Sequence, residues 1–551
     1  MLIKLTGGIV YDPVHGINGE VRDIYIRDGK IIRKPAEHQK IHKTYNLSGK
    51  VVMAGAIDIH THIGGGKVTI ARMMLPEDHR DDPIPATDLT RSGVGYAAPS
   101  TLTTGYRYAE MGYTACFEPA MLPVNARQAH MEMNDTPMVD KGAYALLGND
   151  DFFLRMMTSK KDQSAISDYV GWTINASKAM GIKVVNPGGI SAFKFNQRKL
   201  NLDEKNTYYN VSPREILISL ARAVRELGIP HPLHVHGCNL GVPGNMQTTL
   251  DTIRAVEGMP MHLTHVQFHS YGTEGDRKFS SGAAEIAEAV NNNPNISIDV
   301  GQILFGQTVT ASGDTMLQYA GHKHAHPKKW VVMDIECDAG CGVVPFKYKD
   351  KNFVNALQWA IGLELFLQIS DPWRIFLTTD HPNGAPFTCY PHLIRLLMDK
   401  SFRNDMLSTI NKSAAASSIL GSLDREYSLY EIAIMTRAAP ARSLGLKNRG
   451  HLGSGAAADI TVYTPHSNKE TMFSKPAFVF KDGELIVKNG KVVKVINGST
   501  HIVRPEYDKS IERSLKQYFD QYMTVKLGNF VLQDDEIIEY GKGNIIVQPC
   551  H

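Results

Sequence analysis

The fold prediction starts from residues 51–62, which read Val51-Val52-Met53-Ala54-Gly55-Ala56-Ile57-Asp58-Ile59-His60-Thr61-His62. This stretch is typical of a buried strand that ends in two histidines. Because side chains alternate along a strand, His60 and His62 lie on the same side and can bind one metal ion together. A pair of structural histidines would show the same spacing. The glycine loop that follows, Gly64-Gly65-Gly66, favours the metal interpretation.

Length and composition place the chain among ordinary folded proteins. It has 551 residues, of which 43% are apolar and 21% are charged, and its formal charge is +3. These values exclude a disordered chain, and the small net charge gives no argument for binding nucleic acid or an acidic membrane. The first residues do not resemble a signal peptide, and no apolar run is long enough to span a membrane. We therefore expect a cytoplasmic protein with no membrane segment.

Two patterns along the chain divide it into domains. Both ends are rich in short β patterns, including a hairpin turn at Asp28-Gly29 and another at Asp482-Gly483, which predicts a small β domain built from both termini. Residues 55–435 alternate short apolar runs with helical periods. The clearest helix follows Ser212, which forms a capping box with Glu215. Alternation over this length predicts a parallel sheet closed into a barrel, and a helical stretch is expected near residues 507–522.

Further candidate ligands follow other predicted strands. They are His234 or His236, His262 or His265, and Asp380, which ends the predicted strand at residues 375–379. A barrel collects its active site from several strand ends, so these residues can meet His60 and His62. Lys183 lies in the apolar run at residues 181–185, where a lone lysine is costly unless it is neutralised or reaches the surface. Reaction with CO₂ would convert it to a carboxylate able to bridge two metal ions.

Two other motifs carry less information. Cys337 and Cys341 form a C-x3-C pair with no second pair, and we interpret them as buried thiols, with a metal site as the alternative. His322, His324 and His326 lie in a basic loop, and we interpret them as surface histidines.

The chain resembles the amidohydrolase superfamily in residues 52–62 and in the stretch His451-Leu452-Gly453-Ser454-Gly455-Ala456-Ala457-Ala458-Asp459-Ile460. That resemblance implies an α/β fold with a metal-dependent (β/α)8 barrel and a small β-sandwich formed by both chain ends. The implied boundaries are 1–54 for the first part of the β domain, 55–435 for the barrel, 436–500 for the second part and 501–551 for an extension.

Within the superfamily, the chain is similar nearly end to end to the formylmethanofuran-processing family. This family contains one subunit type of formylmethanofuran dehydrogenase and the alpha subunit of the bacterial formyltransferase/hydrolase complex. The matching segments include residues 103–108, 185–189, 234–236, 264–268, 355–362 and 436–442. Residues 299–310 and 380–387 are closer to the bacterial hydrolase form. The segment Cys337-Asp338-Ala339-Gly340-Cys341 matches neither form.

The resemblance implies a site with two divalent metal ions. It makes His60 and His62 ligands of the first ion, Lys183 a carboxylated bridge, His236 and His265 ligands of the second ion, and Asp380 a ligand of the first ion that also transfers the proton. His236 is preferred over His234, and His265 over His262, because the family ligand directly precedes the loop. Imidazole-rich sites of this kind favour zinc.

The expected reaction is hydrolysis of N-formylmethanofuran to formate and methanofuran, and the expected partners are a formyltransferase subunit together with the other subunits of that complex. Candidate substrate-binding residues are Asn239, Gln267 and Asn383, together with a basic segment that would hold an anionic substrate tail through Lys194, Arg198 and Lys199, beside Phe193 and Phe195. A solvated surface loop would show the same basic composition.

Three other functions fit the same residues. The site could run in reverse and condense formate with methanofuran inside a CO₂-reducing dehydrogenase complex, in which case the partner subunits decide the direction. The chain could be a metal-free scaffold, although it keeps all six candidate ligands. Hydrolysis of a cyclic amide is possible on fold alone.

Overall fold

The computed structural model describes residues 1–194, 197, 199–311, 320–333, 341–541 and 543–551. Phe195, Arg198 and Cys337 lie outside these residues. Within them, no helix is both long and apolar enough to cross a membrane.

A curled sheet of parallel strands forms the centre of the molecule. In the described part of the chain its eight strands pair in chain order. These barrel strands, first to eighth, are Ala56–Asp58, Tyr113–Met121, Asp140–Leu147, Gly181–Val185, Leu233–His236, Met261–Leu263, Ile296–Asp299 and Ile375–Phe376. The ring closes beyond the first and last strands, where Thr61 pairs in parallel with His381 and the His62 amide donates to the His381 carbonyl at 2.8 Å. The predicted barrel is confirmed.

Helices follow the strands and cover the outside of the barrel. They are Thr101–Glu110, Ala126–Asn134, Asp151–Thr158, Gln163–Ser177, Gly189–Lys194, Pro213–Glu226, Asn245–Ala255, Ala283–Asn292, Phe353–Gln368 and Tyr390–Met398. The capping box before Pro213–Glu226 is present as predicted. That helix buries Ile216, Leu217 and Leu220 completely, and each such side chain contributes about 1.5–3 kcal/mol to stability.

A second sheet joins the two ends of the chain, as predicted. Its strands from the amino-terminal part are Leu2–Asp12, Ile17–Arg27, Lys30–Ile32, Lys43–Asn46 and Val51–Ala54, and those from the carboxyl-terminal part are Ile460–Tyr463, Phe478–Lys481, Glu484–Lys488 and Lys491–Val492. The two parts meet where Val51–Ala54 pairs antiparallel with Ile460–Tyr463. The Asp28-Gly29 turn has positive φ at both positions, 49° and 77°, which a tight two-residue hairpin requires.

Two smaller sheets and further helices complete the described structure. Tyr271–Gly272 pairs with Ser280–Ser281, and Cys341–Tyr348 pairs with both Gly306–Thr310 and Val331–Met333. The remaining α-helices are Gly66–Met74, Lys400–Thr409, Lys412–Ala416, Leu429–Ala433, Ala439–Ser443, Lys469–Ser474, Ile511–Tyr522, Leu527–Phe530 and Asp534–Gly541, and a π-helical turn spans Ile434–Ala438.

The structure differs from the sequence prediction at two places. The eighth strand ends at Phe376 instead of Thr379, because the Thr378 and Thr379 carbonyls accept hydrogen bonds from Gln302 and Gly384. The tail contains the expected helix as Ile511–Tyr522, but it also adds Thr500–Val503 and Ile545–Gln548 beside the third barrel strand. These two strands were not predicted. The domain boundaries stay a prediction.

Candidate metal centre

All six predicted ligand residues lie in or just after barrel strands, and each is at most 5% exposed. His60 and His62 follow the first strand, Lys183 lies in the fourth, and His236 ends the fifth. His265 and Asp380 follow the sixth and eighth strands with left-handed backbones, at φ 36° and 51°. Such a conformation is strained for a residue with a side chain and is typical of functional sites. Gly301 permits this geometry, since a Cβ there would lie 2.3 Å from the His265 Cβ.

The first group of candidate ligands consists of His60, His62 and Asp380, whose ligand atoms lie within 4.8 Å of one another. Both histidines direct Nε2 at Oδ1 of Asp380, at 2.9 Å for His60 and 3.5 Å for His62. Lys183 places its Nζ 3.4 Å from the His60 Nε2. The structure therefore brings the predicted first-metal residues and the predicted bridge together.

Two buried carboxylates hold the outer nitrogens of this histidine pair. His60 Nδ1 lies 3.1 Å from Asp299 Oδ2, and His62 Nδ1 lies 2.9 Å from Glu118 Oε1. Glu118 also accepts hydrogen bonds from the amides of Ile63 and Gly64, which fixes the loop after the first strand. A carboxylate on the outer nitrogen orients the ring and directs the inner nitrogen toward a metal.

The second group contains His236 and His265, as predicted, and also His269, again with ligand atoms within 4.8 Å of one another. Burial lowers the pKa of His236 and His265 well below the usual value, so these imidazoles are neutral and each keeps a lone pair on one ring nitrogen. In the described part of the chain, the buried Nδ1 of His265 has no hydrogen-bond partner. A buried nitrogen without a partner fits a metal ligand, because burial of an unsatisfied polar atom is otherwise unfavourable.

Lys183 has the chemistry that a carboxylated bridge requires. It is 2% exposed, and burial lowers its pKa to about 8 against the opposing influence of Asp380 and Asp299. CO₂ reacts with the neutral amine, and a pKa near 8 leaves about a tenth of the side chain neutral at pH 7. Burial alone would raise the pKa of Asp380, but His265 and His60 outweigh it and hold that pKa well below its usual value. Asp380 is therefore a carboxylate.

The alternative histidines lie behind the site. His234 contacts the His60 Nδ1 at 3.0 Å and His231 at 2.9 Å, and His262 bonds to Asp299 at 3.1 Å and to the Ser297 hydroxyl at 2.9 Å. His60, His234 and Asp299 form a third group with ligand-like spacing. This group uses the outer nitrogen of His60, so it is an extension of the first group and serves to orient it.

A cavity of about 220 Å³ opens beside Asp380 and Asn383. Its walls are mostly apolar and aromatic, and they include Leu240, Phe268, Val344, Phe346 and Tyr348. The Tyr348 hydroxyl donates to the Asn383 carbonyl at 3.2 Å. An apolar cavity with a few polar groups at one end suits a small flat ligand whose reactive group points at Asp380.

The cavity corrects one prediction. His322 is half buried, lines this cavity, and lies 4.6 Å from the ring of Trp330, so it is not a plain surface histidine. The tight turn at Ala320–His324 carries it inward. His324 and His326 are exposed, as predicted.

The predicted substrate-binding residues fall in different environments. Asn239 spends its amide on Asn201 and Thr248, and Gln267 donates to the Tyr271 hydroxyl and accepts from the Ile303 amide. Asn383 lines the cavity and donates to Asp380 Oδ1 at 3.0 Å. Lys194 ends the helix Gly189–Lys194 and Lys199 is exposed, while Arg198 lies outside the described residues. Their roles in binding stay predictions.

Sequence reasoning missed several polar residues of the site. Asp299 ends a barrel strand, and His269 follows His265 by four residues, so position alone could have indicated both. Glu118 lies within a long strand and carried no such signal. Lys67, 8% exposed, adds a positive charge that acts on Lys183 and His236.

Comparison with known proteins places the chain in a family. A model of the amidohydrolase family matches residues 43–494. The Fhc A-type component of the formyltransferase/hydrolase complex of Methylorubrum extorquens is 41% identical over 539 residues, which cover 97% of this chain and 97% of that protein. Protein FwdA of Methanocaldococcus jannaschii is 42% identical and covers 96% of each.

A solved structure agrees with these relatives. The structure of the formyltransferase/hydrolase complex of M. extorquens with methylofuran contains a chain that is 40% identical, with a TM-score of 0.94 and full coverage of both chains. Because the family model spans most of the sequence and the relatives align nearly end to end, the chain belongs to the amidohydrolase family.

Proposed function

We propose that the protein hydrolyses N-formylmethanofuran to formate and methanofuran, as the metal-dependent amidohydrolase component of a formyltransferase/hydrolase complex. The observation that carries this proposal is the convergence of Asp380 with the candidate ligands His60 and His62 at one end of an aromatic cavity. The relative that is 41% identical is named as a component of such a complex, and a related structure contains methylofuran.

The proposed centre holds two divalent ions. His60, His62 and Asp380 would hold the first, His236 and His265 the second, and carboxylated Lys183 would bridge them. When bound, such ions lower the pKa of water and polarise the formyl oxygen. The nitrogen-rich donor set favours zinc.

The protein residues manage the proton. Asp380, held as a carboxylate, accepts a proton from water as the new C–O bond forms at the formyl carbon. It then delivers that proton to the departing nitrogen as the C–N bond breaks. The formic acid so produced ionises and its proton charges the amine, so the overall reaction releases formate and an ammonium group with no net proton.

The cavity supports a carrier with an aromatic head. Phe268, Phe346 and Tyr348 can pack against a flat ring while its formyl group reaches Asp380. Asn383, whose amide is bonded to Asp380, keeps the carboxylate turned toward His60 and His62. We place the protein in the cytoplasm, where its partners are the formyltransferase subunit together with the other subunits of the complex.

A substrate comparison tests the reaction. The complex should release formate from N-formylmethanofuran and, more slowly, from N-formylfurfurylamine, while cyclic amides such as hydantoin should not be opened. Ring opening of cyclic amides without hydrolysis of the linear formamides would overturn the proposal and favour the cyclic-amide alternative.

The reverse reaction is the second candidate. The chain is 42% identical to Protein FwdA and 41% identical to the Fhc relative, so the chain itself does not set the direction. Purifying the native complex separates the two candidates. A redox-active pterin subunit would favour condensation of formate with methanofuran, whereas a complex without one would favour hydrolysis.

A further inference from the structure

His269 is a buried histidine that the predicted ligand set does not use. It ends the short helical turn Val266–His269 directly after the sixth barrel strand, and it is 3% exposed. One ligand atom of His269 lies within 4.8 Å of ligand atoms of both His236 and His265.

The three rings surround a common point. The His236 and His265 ring centres lie 4.5 Å apart with the rings nearly perpendicular. The His269 ring lies 5.3 Å from the ring of His236, again nearly perpendicular, and 5.4 Å from that of His265, nearly parallel. Three nitrogens arranged in this way can occupy three corners of a tetrahedral or five-coordinate metal site.

The backbone around His269 is firmly held. The His269 carbonyl accepts from the Thr249 hydroxyl at 2.8 Å, and the Phe268 carbonyl accepts from the Asn245 amide group at 2.8 Å. The left-handed backbone of His265 turns the chain back so that residues four apart present their rings to the same point. The side chain is thus positioned before any ligand arrives, as a functional site requires.

Buried histidines elsewhere in the chain show a different pattern. His130 bonds to the Ser177 carbonyl at 2.9 Å, His231 to Ser443, and His262 to both Ser297 and Asp299. These rings are tied to carbonyl, hydroxyl or carboxylate oxygens, as structural histidines are. The rings of His236, His265 and His269 differ because they converge on one another.

We propose that His269 is a third imidazole ligand of the second metal ion. This inference rests on the metal centre of the proposed function and adds a ligand to it. The second ion would then be held by three imidazoles and carboxylated Lys183, and the first by two imidazoles, Asp380 and the same bridge. The second position should accordingly retain zinc more strongly and discriminate more sharply against magnesium and manganese.

Metal titration of His269→Gln tests the inference, with His392→Gln as the matched control. His392 lies on an outer helix and contacts Glu470 at 3.1 Å, away from the cluster. The zinc content of the two variants and the wild-type protein would be measured at buffered free zinc. His269→Gln should bind the second zinc at least about 10–100-fold more weakly, and the control should match the wild type.

The outcomes separate this inference from the proposed function. Two zinc ions of unchanged affinity in His269→Gln would overturn the inference and leave the centre standing. A wild-type protein that binds no zinc would overturn the centre itself. A zinc-loaded crystal structure of the wild-type protein needs no variant: a His269 nitrogen at about 2.0–2.1 Å from zinc supports the inference, and one beyond about 3 Å overturns it.

Discussion

The two ends of the barrel each contain a buried lysine among buried acids, and the two lysines behave in opposite ways. At the amino end, Lys481 lies 3.1 Å from Asp140 and 3.2 Å from Asp459, and these charges outweigh burial and raise its pKa. At the carboxyl end, burial dominates and lowers the pKa of Lys183 to about 8. Direct ion pairs keep Lys481 charged, while Lys183 forms no comparable pair with the described residues and is chemically reactive.

The surroundings of the two lysines differ in the same sense. Arg449 joins the amino-end cluster through Asp140 at 2.9 Å and Asp482 at 2.7 Å, so opposite charges alternate there and satisfy one another. The carboxyl-end cluster collects neutral imidazoles that face a common space. A buried polar cluster whose charges are paired stabilises the fold, whereas one whose lone pairs converge is suited to bind a cation.

Removing each lysine should separate stability from metal binding. Lys481→Met leaves Asp140 and Asp459 without their cation, so the free energy of unfolding should fall by about 3–5 kcal/mol in urea titrations. Lys183→Met should keep the fold but lose the bridge, most of the zinc and essentially all turnover. Unchanged turnover in Lys183→Met, or unchanged stability in Lys481→Met, would break the distinction between the two ends.

Asp380→Asn keeps the shape of the side chain and removes the proton acceptor. We expect kcat to fall by about 10²–10⁴-fold with the zinc content largely retained. A loss of zinc in parallel with activity would show that Asp380 acts mainly as a ligand. A change within about threefold would remove it from the mechanism.

Asn383→Leu tests how the site is oriented. The variant removes the hydrogen bond to Asp380, and loss of such a supporting bond typically costs about 10–100-fold. If Asn383 orients Asp380, kcat should fall with little change in KM. If Asn383 binds the substrate directly, as the family resemblance led us to expect, KM should rise instead.

Exposed charges on the carboxyl-end face should have the smallest effect. Replacing Lys194, Arg198 and Lys199 together by Gln should raise KM for a long anionic substrate a few-fold and leave N-formylfurfurylamine unaffected. The wild-type KM for the long substrate should rise with salt, because exposed pairs are screened over about 8–10 Å. Equal KM values for variant and wild type on the long substrate would assign these residues to a solvated loop.

Local patterns in the sequence predicted the parts of the molecule that they encode. The H-x-H pair, the capping box at Ser212 and the Asp28-Gly29 turn each have a local physical cause, and the barrel and the two-ended sheet followed from patterns of this kind. The ligands at later strand ends came from the family resemblance, which the strand positions alone left open.

The remaining features depend on contacts between distant segments. Glu118 meets His62 across 56 positions, and Asp299 meets His60 across 239, so no local pattern marks either contact. The tail strands Thr500–Val503 and Ile545–Gln548 pair with each other and with the third barrel strand, and such pairing is invisible in their own sequence. His322 enters the cavity through a turn that composition alone does not indicate.

Zinc dependence of formamide hydrolysis tests the central claim most directly. The purified complex would be stripped with a chelator, reloaded with zinc, and assayed for formate release from N-formylmethanofuran while zinc per chain is counted. We expect turnover to disappear on stripping and to return as the content reaches about two zinc ions per chain. Full turnover by the zinc-free complex would contradict a metal-dependent mechanism.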